Sequence, residues 1–201
     1  MLELREKNLI SEFGKKRPLY EDFCLAVQKL LLTLLKKKKY KYQIYHRVKS
    51  LYSLKEKVNR KKNCGKTYKN LSDIKDLAGV RIIFYLESEK KKFIKDLEEM
   101  PHLTDIEELE KNNGYRAQHA LIALDDGKFR GLKCEIQLVS IFNHAWAELE
   151  HDWLYKDRYN LKIKNPEMYE ILKSQMEIIF KSYVRKLNSK LEKVAKQVPK
   201  F

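Results

Sequence analysis

The chain has 201 residues, 43% hydrophobic and 35% charged, with only 6 Gly and 4 Pro. That is enough apolar material for one real core and too much for a disordered chain, and so few turn formers exclude collagen-like and low-complexity classes and argue against a turn-rich β-sandwich. Lys and Arg number 43 against 28 Asp and Glu, and the resulting +15 draws polyanions over long range: nucleic acid, nucleotide phosphates or an anionic membrane face, unless it only keeps a lysine-rich surface soluble. No stretch approaches the roughly 20 apolar residues of a membrane span. The longest apolar run, Leu30–Leu35, is interrupted by Thr33. The N-terminus is charged from Glu3 onward, so no signal peptide is visible. Cys24, Cys64 and Cys134 lie far apart and form no CxxC. Both observations point to a reduced, cytoplasmic setting with inert thiols.

In chain order, residues 2–13 read as a short helix ending near Gly14. A second helix starts near Pro18 and runs to about Lys38, with Phe23, Val27, Leu30, Leu31 and Leu34 at helical spacing. The run Lys36, Lys37, Lys38, Lys39 closes it, either complementing the helix dipole or offering a surface to a polyanion. A short extended segment at 42–48 precedes a helix over 50–62. The β-branched and aromatic run at 79–86 predicts a buried strand. A helix over 88–99 stops at Pro101, and strands follow at 102–106, near 118–124 and at 131–139. A helix spans 141–155, and a long terminal helix starts at Pro166 with Met168, Ile171, Leu172, Gln175, Ile178 and Ile179 on one face. The expected class is α+β, a mixed central sheet flanked by helices, with N-terminal helices and a long C-terminal helix. The expected organisation is one domain: N-terminal helices over 1–40, a catalytic core over 41–160 and the C-terminal helix over 161–201.

Four clusters carry chemistry. Lys49, Ser53, Lys57 and Arg60 are spaced 4, 4 and 3, so they share about 80° of one helical face. Three cations and a hydroxyl in a column match an oligophosphate, although any lysine-rich helix offers a solvated basic face; Arg47 can approach from the preceding strand. Asp76 stands just before a buried strand, where a loop-end carboxylate can hold Mg²⁺. Arg81, inside that strand, needs an ion pair or a cleft. The loop Lys111–His119 places Tyr115, Arg116 and His119 together, an aromatic beside cations as a nucleobase with phosphates requires. Glu135 and Gln137 share one strand face and Ile136 and Leu138 the other. His144, Glu148 and His151 have metal-ligand spacing but lack an identifiable third or fourth partner for zinc. Gly65-Lys66-Thr67 imitates the end of a P-loop, but Arg60 occupies the first glycine position.

Taken in order, R-x-K-x3-S-x3-K-x2-R (Arg47 to Arg60), DLAGVRI, NGYRAQH and EIQ-x6-HAWAELEH resemble the synthetase domain of the RelA/SpoT family over roughly residues 20–160. No room remains for that family's hydrolase or regulatory domains, so the chain looks like the small, single-domain alarmone synthetases, with their nucleotidyltransferase-like fold. The resemblance implies transfer of the β,γ-pyrophosphate of ATP onto a ribose 3′-hydroxyl. It implies Arg47 and Arg81 sandwiching the adenine, with Lys49, Ser53, Lys57 and Arg60 on the ATP phosphates. Asp76 and Glu135 would bind Mg²⁺, and Glu135 would activate the hydroxyl. Tyr115 would stack on the acceptor base, with Lys111, His119, Gln137 and His144 nearby.

The chain departs from the family after the EIQ triplet. Many members carry arginine then threonine two residues on, where this chain reads Leu138-Val139-Ser140, and His144 stands where some small synthetases have asparagine. With the +15, these departures favour the 3′ end of tRNA as acceptor, as in a toxic subgroup that blocks translation and is neutralised by an antitoxin protein. Lys36, Lys37, Lys38 and Lys39, then Lys61 and Lys62, are the expected tRNA surface. The alternatives are alarmone synthesis from GTP or GDP and a non-catalytic RNA-binding module.

Overall fold

The computed structural model describes residues 2–110, 116–124, 127–155 and 160–197. Helix α1 (Leu2–Lys37) leads into β1 (Tyr42–Val48), α2 (Leu51–Asn63), β2 (Ala78–Phe84), α3 (Glu87–Glu98), β3 (Leu103–Glu110), β4 (Arg116–Ile122) and β5 (Cys134–Ser140). Helix α4 (Ile141–Glu150) continues into a π-helical turn, His151–Tyr155. Next come the short α5 (Leu161–Lys164), α6 (Pro166–Ile179), a second π-helical segment at Phe180–Val184 and α7 (Arg185–Gln197). The strands form one mixed sheet in the order β1-β2-β5-β4-β3, in which only the β2–β5 pairing is parallel. The architecture is the α+β arrangement that the sequence predicts. Among the described residues, no helix is long and apolar enough to cross a membrane.

The N-terminal helices are one. Pro18 was expected to start a second helix, yet α1 runs straight through it. Proline removes the hydrogen bond to the carbonyl four residues back and crowds it, and that carbonyl belongs to Gly14. The helix persists because its buried stripe (Leu9, Phe13, Tyr20, Cys24, Val27, Leu31, Leu35) stays in phase across the proline. Each fully buried side chain of this size is worth about 1.5–3 kcal/mol, so the stripe outweighs a proline penalty of about 3 kcal/mol.

The stripe packs on Val80, Ile82, Phe84, Ile136 and Leu138, which form one continuous core with it. β2 and β5 share an identical alternation. Residues 78, 80, 82 and 134, 136, 138 are buried beneath α1, whereas Gly79, Arg81, Glu135 and Gln137 are only half-buried on the opposite face. Further along that face, Ile83 and Val139 join Ala117 in a small buried cluster. This leaves a polar floor two residues deep on each strand.

The C-terminal helix corrects the expected apolar face. Met168, Ile171, Ile178 and Ile179 are exposed, while Met176 and Phe180 are buried with Tyr169 and Leu172 packed beside them. Two apolar stripes compete on this helix, and the one bearing the aromatics meets Trp146 and Leu154 of the preceding helical turn; the Trp146 and Phe180 rings lie 5.2 Å apart. The predicted strands at 79–86, 118–124 and 131–139 shift by a few residues, and the one at 102–106 extends to Glu110.

Candidate active site

Asp76 is positioned by its neighbours. Leu71, Ile74 and Leu77 are all buried and pin the segment before β2, leaving the polar side chain between them to face the cleft. The Lys49 amide donates to the Leu77 carbonyl at 2.9 Å, tying the end of β1 to the same segment. Helix α2 is capped by Ser50, whose hydroxyl accepts from the Ser53 amide at 3.1 Å, and buries Leu54 and Val58. Lys57, one helical step from that buried face, thereby points at Asp76.

Two ammonium groups hold Asp76: Lys49 Nζ at 3.0 Å and Lys57 Nζ at 2.8 Å. Burial pushes this carboxyl up, but the two lysines more than offset it and hold Asp76 below its ordinary value. The aspartate is therefore a firm carboxylate. Ser53 Oγ accepts from the Ser50 hydroxyl at 3.0 Å. Among the described residues lining the cleft, neither Ser53 nor Arg60 is found.

Strand register assembles the rest. Arg47 lies opposite Gly79, which lies opposite Glu135; Tyr45 lies opposite Arg81, then Gln137, then His119. Gly79 leaves the floor bare between Arg47 and Glu135. Arg81 Nε donates to Gln137 Oε1 at 3.0 Å, and Gln137 Nε2 donates to Glu135 Oε2 at 2.8 Å. His119 Nδ1 is 3.4 Å from Glu135 Oε1. Burial raises Glu135, while His119 and Gln137 lower it further than burial and the nearby Asp76 charge raise it, so it too is a carboxylate. The second Arg81 anchor comes from α4: Nη1 donates to Glu148 Oε1 at 2.7 Å and lies 3.4 Å from His144 Nδ1. Burial, then the Arg81 charge, depress His144, with Glu148 partly restoring it, so its ring is neutral at neutral pH.

These groups line a cleft of about 1290 Å³ whose far wall is built by Trp146, Leu154, Lys162, Tyr169, Lys173 and Met176. Single-ligand pockets span roughly 300–1,000 Å³, so this cleft has room for two substrates. Of the sequence-derived candidates, Arg47, Lys49, Asp76, Arg81, His119, Glu135, Gln137 and His144 line it together, and Lys57 reaches it through Asp76. Lys111 and Tyr115 lie outside the described residues. The remaining lysines stand elsewhere. Lys36, Lys37, Lys38 and Lys39 are exposed near the start of β1, where Lys38 pairs with Asp96 at 3.5 Å. Seven residues of strand at about 3.3 Å each put that end roughly 20 Å from Lys49. Lys61 sits over the Tyr68 ring, its Nζ 5.5 Å from the centroid, and Lys62 pairs with Glu6 at 3.2 Å.

Sequence reasoning missed Gly79, Tyr45 and the wall from α5 and α6. Period-two alternation could have found the first two, because they share a strand face with Arg81 and Arg47. Nothing local marks Lys162, Tyr169 or Lys173. The zinc spacing of His144, Glu148 and His151 forms no site: Glu148 is occupied by Arg81, and among the described residues no group of three or more His, Cys, Asp or Glu could hold a metal.

Residues 46–160 match the family model described as a region found in RelA / SpoT proteins. The GTP pyrophosphokinase YwaC of Bacillus subtilis is 35% identical over 119 residues, which cover 55% of this chain and 56% of that protein, so the match spans little more than half of the relative's length. The crystal structure of the small alarmone synthetase 1 from Bacillus subtilis bound to its product pppGpp superposes with a TM-score of 0.71 at 21% identity, covering 96% of this chain and 98% of that one. The small alarmone synthetase 2 from the same organism gives 0.70 at 24% identity, covering 93% and 100%. These structural likenesses establish the shared fold.

Proposed function

This chain belongs to the RelA/SpoT family, and from that premise we propose that it is an ATP-dependent pyrophosphokinase acting on a ribose 3′-hydroxyl. The observation that carries the reading is the Lys49–Asp76–Lys57 cluster, facing Glu135 and His119 across the bare floor at Gly79. Arg47 and Arg81 take the adenine, and Lys49 and Lys57 leave Asp76 for the phosphates. Glu135, a carboxylate held by His119 and Gln137, accepts the proton of the 3′-hydroxyl. The 3′-oxygen bonds to the β-phosphorus as the α,β-bridging oxygen departs with AMP. Such a transfer depends mainly on positioning and charge neutralisation.

Asp76 and Glu135 suit Mg²⁺, which takes one or two carboxylates and completes its shell with water and substrate phosphates. Both groups are carboxylates lining the same cleft, and the Asp76 charge acts on Glu135. When bound there, the ion neutralises polyphosphate charge.

The proposed acceptor is a guanosine di- or triphosphate. The name of the Bacillus relative supports it. The second reading is the tRNA 3′ end, with the toxin role and antitoxin partner that accompany it, and the +15 together with Leu138-Val139-Ser140 supports that one. The test offers GDP, GTP, ATP and bulk tRNA side by side with γ-phosphate-labelled ATP. Label on GDP or GTP alone supports the first acceptor, and label on tRNA alone the second. Label on none would leave the idle RNA-binding module and refute the enzyme.

A further inference from the structure

We propose that Glu148 is a positioning residue for the donor base, holding the Arg81 guanidinium so that its flat face stacks on adenine. The assignment rests on the proposed function, in which Arg81 meets the adenine. Arg81 projects from the middle of β2 onto the cleft face, with Tyr45 as its cross-strand neighbour on one side and Gln137 on the other. Its Nε donates to Gln137 Oε1 at 3.0 Å and its Nη1 to Glu148 Oε1 at 2.7 Å. Nε and Nη1 belong to different edges of the planar group. Two N–H bonds from two edges restrict the rotation of that plane. A long side chain tethered at one point would sweep out many orientations and lose much of its stacking contact.

The two anchors come from different elements. Gln137 is part of the sheet and is held in turn by Glu135. Glu148 belongs to α4, one turn after His144, whose neutral ring lies against the same guanidinium. Glu148 has a side-chain exposure of 57%. An ion pair that exposed contributes little to stability, so the fold does not depend on it, and its geometry matters for orientation. The contact also links the donor pocket to the catalytic carboxylate through the chain Glu148–Arg81–Gln137–Glu135, which spans α4, β2 and β5.

The experiment titrates the full chain and its Glu148→Ala and Glu148→Gln variants with a non-hydrolysable ATP analogue and, separately, with inorganic tripolyphosphate, after circular dichroism has confirmed folding. The alanine variant should bind the analogue roughly three- to thirtyfold more weakly, the range that one cation–π contact covers, and bind tripolyphosphate unchanged. The glutamine variant, whose amide oxygen still accepts from Nη1, should recover most of the loss. Unchanged analogue binding in Glu148→Ala, or an equal loss for both ligands, overturns the assignment. A wild-type protein that binds tripolyphosphate as tightly as the analogue instead overturns the donor-base reading on which the assignment rests.

Discussion

In the free protein Asp76 holds both lysines, and under the proposed function a bound phosphate has to compete with it for them. The carboxylate lies 3.0 Å from Lys49 Nζ and 2.8 Å from Lys57 Nζ, and all three side chains are mostly buried, with exposures of 21%, 12% and 23%. At 2.8 Å and an effective dielectric of about 20, one such pair has a gross attraction of about 6 kcal/mol, most of it cancelled by desolvation. The net value of a charge-assisted hydrogen bond is nearer 1.5–3 kcal/mol. A triphosphate that recruits both lysines without a metal must break these contacts and approach a carboxylate. Asp76→Asn removes the charge and nearly preserves the shape. In EDTA, this variant should therefore bind a non-hydrolysable ATP analogue about ten- to hundredfold more tightly than wild type, taking roughly 1.4 kcal/mol per tenfold. With Mg²⁺ added, the wild type should tighten and the variant should not, and turnover by the variant should vanish. Isothermal titration calorimetry in both buffers reads the two effects. Equal or weaker metal-free binding by Asp76→Asn would refute the idea that Asp76 holds the phosphate lysines in reserve.

Asp76→Ala and Glu135→Ala should each abolish label transfer while leaving the circular dichroism spectrum intact, because both side chains face the cleft; more than a tenth of wild-type activity at saturating Mg²⁺ would reject the assignment. Both carboxyls are held below their ordinary values, so the stability they contribute is present above the unfolded carboxylate range of about 4 and is lost as pH falls through their lowered folded values. Urea midpoints from about pH 6 to pH 3 should fall less steeply in Asp76→Asn than in wild type, and identical slopes would contradict this sign. Neutralising Lys36, Lys37, Lys38 and Lys39 together should leave the KM for GDP or GTP unchanged. If tRNA is labelled, the same variant should show a raised KM and a log–log salt slope reduced by about 0.7–0.9 per lost phosphate contact; a slope that stays constant would remove these lysines from any RNA surface.

Much of this protein is legible in its sequence, and the reasons are local. Strand alternation at Ala78–Phe84 and Cys134–Ser140 sorts Arg81, Glu135 and Gln137 away from the core residues, because a two-residue period needs no knowledge of the partner strand. Helical spacing likewise sets Lys57 off the buried face of α2 that carries Leu54 and Val58, whereas Lys49 precedes the Ser50 cap and is placed by the end of β1. Local signals failed where long-range packing outweighed them. Pro18 is a helix breaker by intrinsic chemistry, yet the buried stripe from Leu9 to Leu35 carries α1 through it. The C-terminal helix offers two apolar stripes, and only the position of Trp146 decides that the one with Met176 and Phe180 is buried. Pairing was equally out of reach. That Gly79 stands between Arg47 and Glu135, that two lysines close on Asp76 and that Glu148 meets Arg81 across 67 residues of chain are all consequences of sheet register and helix docking. The sequence by itself determined which side chains have the chemistry for phosphate transfer. Only the tertiary structure decided which of them touch, because contacts between distant segments are set by how the helices dock on the sheet and by strand register, and neither is encoded in local spacing.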